Sequence, residues 1–434
     1  MTTRPAYPEG PQPPRTGQEE TLNGVNGPGR PPTAPDGPGG RPWNRTALRG
    51  HNERVLLDAL RAAGTTSRAQ LARTTGLSKP TVSAALAGLE RAGLVRRTGE
   101  VSKAQGRGRA AVLYQADPTA GYVVGVDIGR DWIRAAVADL DGTVVGRRDT
   151  ANKARTSGAI VRTAAGLARS VVREAGLEWD TVVHTVVGSP GVTDPATHRV
   201  RYAGNLPGWG RSGLFDRLHA ELGTGLDVIN DANLAALGEY ALGAGRGTRL
   251  FAYLWVGTGL GAGIVADGRI FPGGHGAAGE IGYLPMSPLP AGDRPPAEPT
   301  PRRGTLEESV AADAVVRLAR TMGLAHAATA KDVFAAARSG DPVACAVTAR
   351  VAARLAHAVA ALAAVIDPEL VVLGGGIGRN TDLLLAPVRA ALRDLTPLRP
   401  KVAASALGSD AVLLGAVATA AKAAREHVFD TRGG

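Results

Sequence analysis

The spacing of apolar residues changes character along the chain. Between residues 46 and 92 apolar side chains recur at helical intervals, whereas beyond Gly121 short Val, Ile and Leu runs alternate with Ala-rich segments. A period near 3.6 predicts helices with one buried face, and short apolar runs ending at Gly, Asp or Asn predict buried strands. The pattern therefore predicts a small helical domain followed by an α/β domain whose site lies at the strand ends.

Three helices are predicted in the first region. The first spans about residues 46–63, and Ser67 is placed to cap the second, with Gln70 completing a capping box. The second helix stops at Gly76, and Ser78 caps the third. The predicted apolar positions are Leu48, Val55, Leu56, Ala59 and Leu60 in the first helix, and Leu71, Ala72, Leu77, Val82, Leu86 and Leu89 in the other two.

Two predicted strands follow and flank the glycine-rich segment 102–110, which favours a winged helix-turn-helix that binds double-stranded DNA. The start of the third helix would face the major groove, where hydroxyl groups and backbone N–H groups suit phosphates and base edges. Arginines between small residues suit a narrow minor groove. The predicted DNA contacts are Ser78, Lys79, Thr81, Val82 and Ser83 in the helix, and Arg107 and Arg109 in the wing.

Charge supports this interpretation. The chain has a net charge of +11, and residues 41–116 hold 14 Lys/Arg against four Asp/Glu. A basic surface can simply be solvated, but confinement of the charge to one segment favours a polyanionic partner. The single Cys345 rules out an intramolecular disulfide. With no long uninterrupted apolar run and no secretion signal, we expect a cytoplasmic, nucleoid-associated protein without membrane contact.

Seven motifs of the second region occur in an order that resembles one family. They are VGVDIG (124–129), GSPGV (188–192), NLPGW (205–209), INDANLAALGE (229–239), VGTGLGAGIVADG (256–268), GGHGAAGEIG (273–282) and VLGGGIG (372–378). Together with the helical region, about 390 residues resemble a transcriptional regulator of the ROK family (repressors, open reading frames, kinases). The Pro- and Gly-rich composition of the first residues predicts a disordered tail over 1–42. The resemblance implies a winged helix over 43–117, and over 118–434 a two-lobed ROK domain of the actin-like ATPase and hexokinase type.

The resemblance also implies a sugar site. Asp231 matches the position of the catalytic base in ROK kinases, and four other residues match sugar-contacting positions, while His275 lies in the adjoining glycine-rich segment. Amides and carboxylates suit hydroxyl groups that both donate and accept, although each residue could instead cap a helix or stabilise a turn. The predicted sugar-binding residues are Asn205, Asn230, Asp231, His275, Glu280 and Glu307.

The phosphate side departs from the family pattern. Where kinases have Asp-Ile-Gly-Gly-Thr-Lys, this chain has Arg130, Asp131 and Trp132 after Asp127-Ile128-Gly129. Side chains add bulk where ATP phosphates need bare backbone. The Asp131 charge would also repel a phosphate by about 4 kcal/mol at ~4 Å and intermediate dielectric. We therefore expect no catalysis, with Asp231 as a vestigial base.

The family's zinc positions are also altered. Tyr283 replaces the histidine, and Glu298, Thr300 and Thr305 replace the three cysteines. This set does not make a tetrahedral zinc site, so no metal and no cofactor are expected.

These features predict a DNA-binding regulator, most simply a repressor of carbohydrate-related genes, that binds a sugar or sugar-phosphate effector. Paired half-sites and the family resemblance favour a homodimer or homotetramer. Two alternatives stay open, namely a bifunctional ATP-dependent sugar kinase and a regulator whose ROK domain is only an oligomerisation scaffold.

Overall fold

The computed structural model describes residues 44–102, 111–194, 199–201, 206–223, 225–286 and 304–433. From Arg49 onward the described residues pack as one compact unit. Leu48, just before it, is 48% exposed, which contradicts its predicted apolar packing. The predicted tail over 1–42 and the wing residues Arg107 and Arg109 lie outside the described residues.

A winged helix-turn-helix is formed near the start of the described chain, as predicted. The Ser67 hydroxyl accepts the Gln70 amide at 3.3 Å, and Gly76 ends the helix with φ +71°. The Gln70 amide group donates to Thr74, so the reciprocal half of the predicted capping box is wrong. The elements are α1 (Arg45–Ala63), β1 (Thr66–Ser67), α2 (Arg68–Thr75), α3 (Lys79–Arg91), β2 (Val95–Ser102) and β3 (Ala111–Ala116), with sheet order β1-β3-β2.

The first lobe is a five-stranded sheet in the order β10-β7-β4-β5-β6. Its first three strands form an antiparallel meander, β7 then pairs with β4 in parallel, and β10 pairs with β7 in parallel. The elements are β4 (Tyr122–Ile128), β5 (Trp132–Asp139), β6 (Val144–Ala151), α4 (Ser157–Glu174), β7 (Val182–Ser189), β8 (Val192–Asp194), β9 (Arg199–Arg201), α5 (Leu214–Leu222), β10 (Leu226–Asn230) and α6 (Asp231–Leu242).

The second lobe repeats this topology in the order β13-β12-β11-β14-β15. The β4–β5 and β11–β12 turns, which carry the Asp-Ile-Gly and Gly-Thr-Gly motifs, therefore occupy equivalent places, as the two-halves pattern indicated. The elements are β11 (Leu250–Val256), β12 (Leu260–Ala266), β13 (Arg269–Ile270), α7 (Glu307–Val310), α8 (Ala312–Thr321), α9 (Ala330–Arg338), α10 (Pro342–Ile366), β14 (Leu370–Gly374), α11 (Gly375–Gly378), α12 (Thr381–Leu395), β15 (Lys401–Ala404) and α13 (Ala411–Arg432).

Helices α6 and α13 cross between the two sheets. A Cβ atom on Gly415 would lie 1.8 Å from the Leu234 carbonyl oxygen, and one on Gly238 would lie 2.5 Å from that of Ala411. Both distances are far below van der Waals contact, so the close crossing depends on these glycines. The two helices share one core with both sheets, so a movement of one helix changes the packing of the other.

The end of α13 packs into the core of the winged helix. Val428 and Phe429 join the buried cluster that contains Leu56 and Leu86. The Arg54 guanidinium lies 4.5 Å from the centre of the Phe429 ring and also pairs with Asp430. A single helix thus connects the centre of the ROK-like body to the first helix of the predicted DNA-binding domain.

One helix in the described chain, α10, is long and apolar enough to cross a membrane by length and composition alone. Half of its most apolar window is buried within the protein, and its buried residues belong to the core of the second lobe. Core helices of this kind meet the same criteria as membrane spans.

Candidate functional site

The β4–β5 turn is closed by its own backbone. The Gly129 amide donates to the Trp132 carbonyl oxygen at 2.9 Å. Asn152, which is buried, donates from its side chain to the Gly129 carbonyl oxygen and from its backbone to that of Asp131, at 2.9 and 2.8 Å. The exposed Arg130, Asp131 and Trp132 therefore stand on a fixed turn.

Asp127, at the end of β4, already has a cation. The register of β4 and β5 places Arg134 opposite it, and the Arg134 Nη1 atom lies 2.7 Å from the Asp127 Oδ2 atom. Burial raises the pKa of Asp127 above its ordinary value, and Arg134 acts in the opposite direction. Arg134 also lies 3.4 Å from Asp149, which pairs with Arg147. Sequence reasoning missed Arg134, and the only signal was an arginine in an otherwise apolar strand.

Asp231 is the first residue of α6. Its Oδ1 atom accepts the amide of Ala232 at 2.8 Å. Burial, followed by the nearby charges of Asp127 and Glu280, raises the pKa of Asp231 to about 7. A carboxyl group with this pKa can accept or donate a proton near neutral pH, which suits binding to a hydroxyl group and also suits a general base.

Glu280 and Glu307 extend this acidic group. Burial raises the pKa of Glu280 to about 7, and the charge of Glu307 contributes. The Glu307 Oε2 atom accepts the Leu260 amide at 3.0 Å, which ties the start of α7 to the Gly-Thr-Gly turn. The structure therefore brings Asp127, Asp231, Glu280 and Glu307 into one electrostatically coupled cluster.

The other predicted sugar-site residues are placed differently. Asn230 caps α6 by accepting the Asn233 amide at 3.1 Å, and its side chain donates to the Gly191 carbonyl oxygen at 3.0 Å. Its observed contacts thus match the cap alternative. His275 is exposed, and Asn205 lies outside the described residues.

Two of the four positions that hold zinc ligands in the family, Tyr283 and Thr305, are among the described residues. The Thr305 hydroxyl accepts the Met286 amide at 2.7 Å and lies 3.3 Å from the Leu284 carbonyl oxygen, so it ties two backbone segments together. Tyr283 is 49% exposed. Glu298 and Thr300 lie outside the described residues. Neutral threonine and tyrosine hydroxyls are poor substitutes for histidine and thiolate ligands.

At the Gly-rich turn after β14, the backbone conformation itself requires a glycine. Gly375 has φ +79°, and a Cβ atom there would lie 2.5 Å from the Val256 carbonyl oxygen. The fold requires glycine at this position whether or not a phosphate binds.

The predicted DNA-binding surface contains one error. Ser78, Lys79 and Ser83 are exposed, whereas Val82 is 0% exposed and belongs to the winged-helix core. Val82 therefore cannot contact a base, because the same helical period that presents one face to DNA turns this position inward. Thr81 is partly exposed, and its hydroxyl lies 2.8 Å from that of Ser78.

Comparison with known proteins decides the family. A model of the ROK family matches residues 123–423, more than half of the chain. The chain belongs to the ROK family. A model of the MarR family matches residues 52–108, within the winged helix. The predicted fold class, a winged helix followed by a two-lobed ROK domain, is confirmed, whereas the domain boundaries at 42/43 and 117/118 stay predictions.

Relatives of this ROK protein include both enzymes and regulators. It is 33% identical over 315 residues to a glucokinase of Halalkalibacterium halodurans, covering 68% of this chain and 93% of the glucokinase. It is 26% identical over 392 residues to the xylose repressor of Caldicellulosiruptor bescii, covering 86% of this chain and 96% of the repressor. A crystal structure of a ROK family transcriptional regulator, a homologue of the E. coli MLC protein, covers 89% of this chain and 99% of its own, with a TM-score of 0.71 at 21% identity. This last similarity concerns the fold.

Proposed function

We propose that this ROK protein is a DNA-binding transcriptional regulator, a repressor of carbohydrate-related genes, controlled by a sugar or sugar derivative that it does not phosphorylate. The observation that carries the proposal is the continuous packing from the candidate sugar site to the winged helix. Asp231 begins α6, α6 crosses α13, and α13 ends in the winged-helix core. The similarity to a xylose repressor over both domains supports the same conclusion.

The coupling follows from differential binding. A sugar that closes the two lobes favours one arrangement of α6 against α13, and it shifts the population of the chain toward that arrangement. Because α13 carries Phe429 under Arg54 of α1, the new arrangement changes the presentation of the winged helix. In a homodimer or homotetramer, such a change alters the spacing of two winged helices on paired half-sites.

The proposed absence of phosphoryl transfer rests on the β4–β5 turn, where a kinase of this family would hold the phosphates of ATP. Phosphoryl transfer requires charge neutralisation and positioning of the phosphates by backbone and metal ions. Here Asp127 is paired with Arg134, and the turn that would face the phosphates carries Arg130, Asp131 and Trp132. The Asp127 carboxylate is therefore already engaged by an internal cation.

A mobility-shift assay tests the proposal. The probe is the DNA upstream of the protein's own gene, titrated with hexoses, pentoses, amino sugars and their phosphates. We expect one of these ligands to change the operator affinity at least tenfold, and Asp231→Asn to abolish the response while free-protein DNA affinity is retained. DNA binding that no sugar alters would contradict the regulatory role of the site, and it would favour the scaffold alternative.

The kinase alternative has one supporting observation of its own. A pKa of about 7 suits Asp231 to general base catalysis, and the chain shares 33% identity with a glucokinase. An ATP-coupled assay over the same sugar panel tests it. Turnover that disappears in Asp231→Asn would establish a bifunctional kinase and overturn the proposal of binding without phosphorylation.

Assembly and location follow from the DNA partner. Size-exclusion chromatography with light scattering, with and without operator DNA, measures whether the protein is a dimer or a tetramer. A monomer at all concentrations would contradict the half-site argument. A cytoplasmic, nucleoid-associated location follows from operator binding and is tested by co-sedimentation with nucleoids.

A further inference from the structure

A cavity of about 720 Å³ lies between α6, α13 and the outer strands β10 and β13. Its volume is within the ~300–1,000 Å³ range of small-molecule sites. The cavity is separate from the acidic cluster, since its lining includes neither Asp231, Glu280 nor Glu307. Of the predicted sugar-binding residues, Asn230 belongs to its lining.

Most of the cavity wall is apolar. The side chains come from β10, from one face of α6 and from the facing side of α13, so the site is built by the two helices that cross between the lobes. The apolar wall residues include Val228, Leu237, Tyr240, Ile270, Val417 and Ala421. The Tyr240 ring is held in place by stacking on Phe251, with ring centres 6.4 Å apart. A rigid apolar wall of this kind favours a ligand with an apolar body.

The polar groups of the lining are mainly cationic. Arg269, Lys422 and Arg425 line the cavity, and Asp141 is the acidic residue among them. Arg425 donates to the Leu140 carbonyl oxygen at 3.0 Å and lies close enough to Asp141 to influence its charge. Within the described part of the chain, no carboxylate forms an ion pair with Arg269 or Lys422. The cavity therefore has an excess of positive charge.

A further polar atom lacks a partner. Thr193 lines this cavity, and its Oγ1 atom is buried without a hydrogen-bond partner within the described ranges. Buried hydroxyl groups are rarely left without a partner.

We infer that this cavity binds a small amphipathic anion, a carboxylate, sulfonate or phosphate attached to an apolar body, as a second ligand of the protein. The apolar walls bury the body of the ligand, and Lys422 and Arg269 neutralise its charge. The site differs from the acidic sugar cluster in the sign of its charge, so the two sites select different ligands.

The position of the cavity also links it to the winged helix. Lys422 and Arg425 line a smaller neighbouring pocket together with Arg54, Leu57 and Arg61 of α1. A ligand that draws Lys422 toward its anionic group changes the contacts between α13 and α1. Because a ligand that binds one arrangement better shifts the population toward it, an amphipathic anion is expected to alter DNA affinity without competing with a sugar.

Equilibrium dialysis with 8-anilinonaphthalene-1-sulfonate tests the inference on the full-length protein. This probe has an apolar aromatic body and one sulfonate group. We expect one probe per chain, with affinity unchanged by hexoses. Ala418→Trp, which places a large ring into the cavity from α13, should weaken binding at least tenfold. Ala241→Trp places the same ring into the cavity from the exposed side of α6, and it replaces Ala418→Trp in the experiment if that variant does not fold.

Two controls separate the site from general surface binding. Ala335→Trp adds the same ring to an exposed position of α9, outside the cavity, and should bind the probe as the original protein does. Lys422→Gln should weaken the sulfonate probe at least threefold but leave the neutral N-phenyl-1-naphthylamine unchanged, because only the charge contact is lost.

Three results would overturn the inference. The first is unchanged stoichiometry and affinity in both cavity-filling variants, and the second is an equal loss in Ala335→Trp. The third is an absence of probe binding combined with self-association that Ala418→Trp abolishes, since a second copy of the chain would then cover this face. None of these results bears on sugar binding at Asp231, which the mobility-shift assay tests separately.

Discussion

Replacement of Asp231 by asparagine should stabilise the protein, and by more at pH 8 than at pH 5. Burial and the neighbouring Asp127 and Glu280 raise the pKa of Asp231 from 3.8 to about 7. Between these two values the folded chain holds a proton that the unfolded chain has released, so stability falls as pH rises through this window. Asparagine removes the charge, and its oxygen can still accept the Ala232 amide.

The magnitude follows from the two pKa values. At ~1.4 kcal/mol per pH unit, the unfavourable contribution of the carboxylate is about 4 kcal/mol at pH 8 but only about 2 kcal/mol at pH 5. Asp231→Asn should therefore gain roughly 2.5–3 kcal/mol more at pH 8 than at pH 5. Glu280 titrates in the same range, and relief of its repulsion from Asp231 acts in the same direction.

Urea denaturation at pH 5 and pH 8 measures the difference. Asp394→Asn, at an exposed position of α12, controls for the loss of a carboxylate from the surface. An equal effect of Asp231→Asn at both pH values, or a loss of stability at pH 8, would refute the assignment of a buried, proton-binding Asp231. The outcome matters for function, because a site with half-protonated carboxyl groups at neutral pH binds hydroxylated ligands with a strong pH dependence.

Three further predictions concern the helix crossing, a buried carboxylate and the DNA surface. Gly415→Ala should lower the free energy of unfolding in urea by about 3 kcal/mol, because the new methyl group meets the Leu234 carbonyl oxygen. The control Gly166→Ala, in the open face of α4, should instead raise this free energy by about 0.5–1 kcal/mol. Glu239→Gln should lower the free energy of unfolding by about 2–4 kcal/mol, since the buried carboxylate accepts two backbone amides and one hydroxyl; an unchanged urea midpoint would contradict this. Lys79→Ala should weaken operator binding uniformly across sequences and reduce the salt-dependence slope by about 1, an effect absent from Lys331→Ala in α9.

The winged helix could be predicted from sequence almost element by element, because local signals determine it. Ser67 and Ser78 cap their helices as the spacing indicated, and Gly76 ends α2 in the left-handed conformation. The exception, Val82, shows where periodicity is insufficient. A β-branched residue beside the helix start suits both a groove contact and a core, and only the packing of α1 against α3 decides between them.

The candidate site was less predictable, since its key contacts join distant parts of the chain. Glu307 accepts the amide of Leu260, 47 positions away, and no local pattern reveals that contact. The pairing of Arg134 with Asp127 depends on the register of the β4–β5 hairpin. A slip of one residue would turn Arg134 to the other face of the sheet and separate the pair. Asn230 was predicted to contact a sugar or to cap a helix, and its side chain hydrogen-bonds to the backbone.

The proposed phosphate side and the proposed sugar side of the site treat their carboxyl groups differently, and the reason is the cost of an uncompensated charge. On the phosphate side Asp127 is buried and would be destabilising without a cation, and Arg134 supplies one permanently. On the sugar side Asp231 and Glu280 have no such partner among the described residues and instead take up protons near neutral pH. We propose that the internal cation makes the first side independent of a bound nucleotide and its metal. On the same proposal, a ligand that hydrogen-bonds the carboxyl groups of the second side is favoured, and the free energy of its binding is transmitted through α6 and α13 to the winged helix.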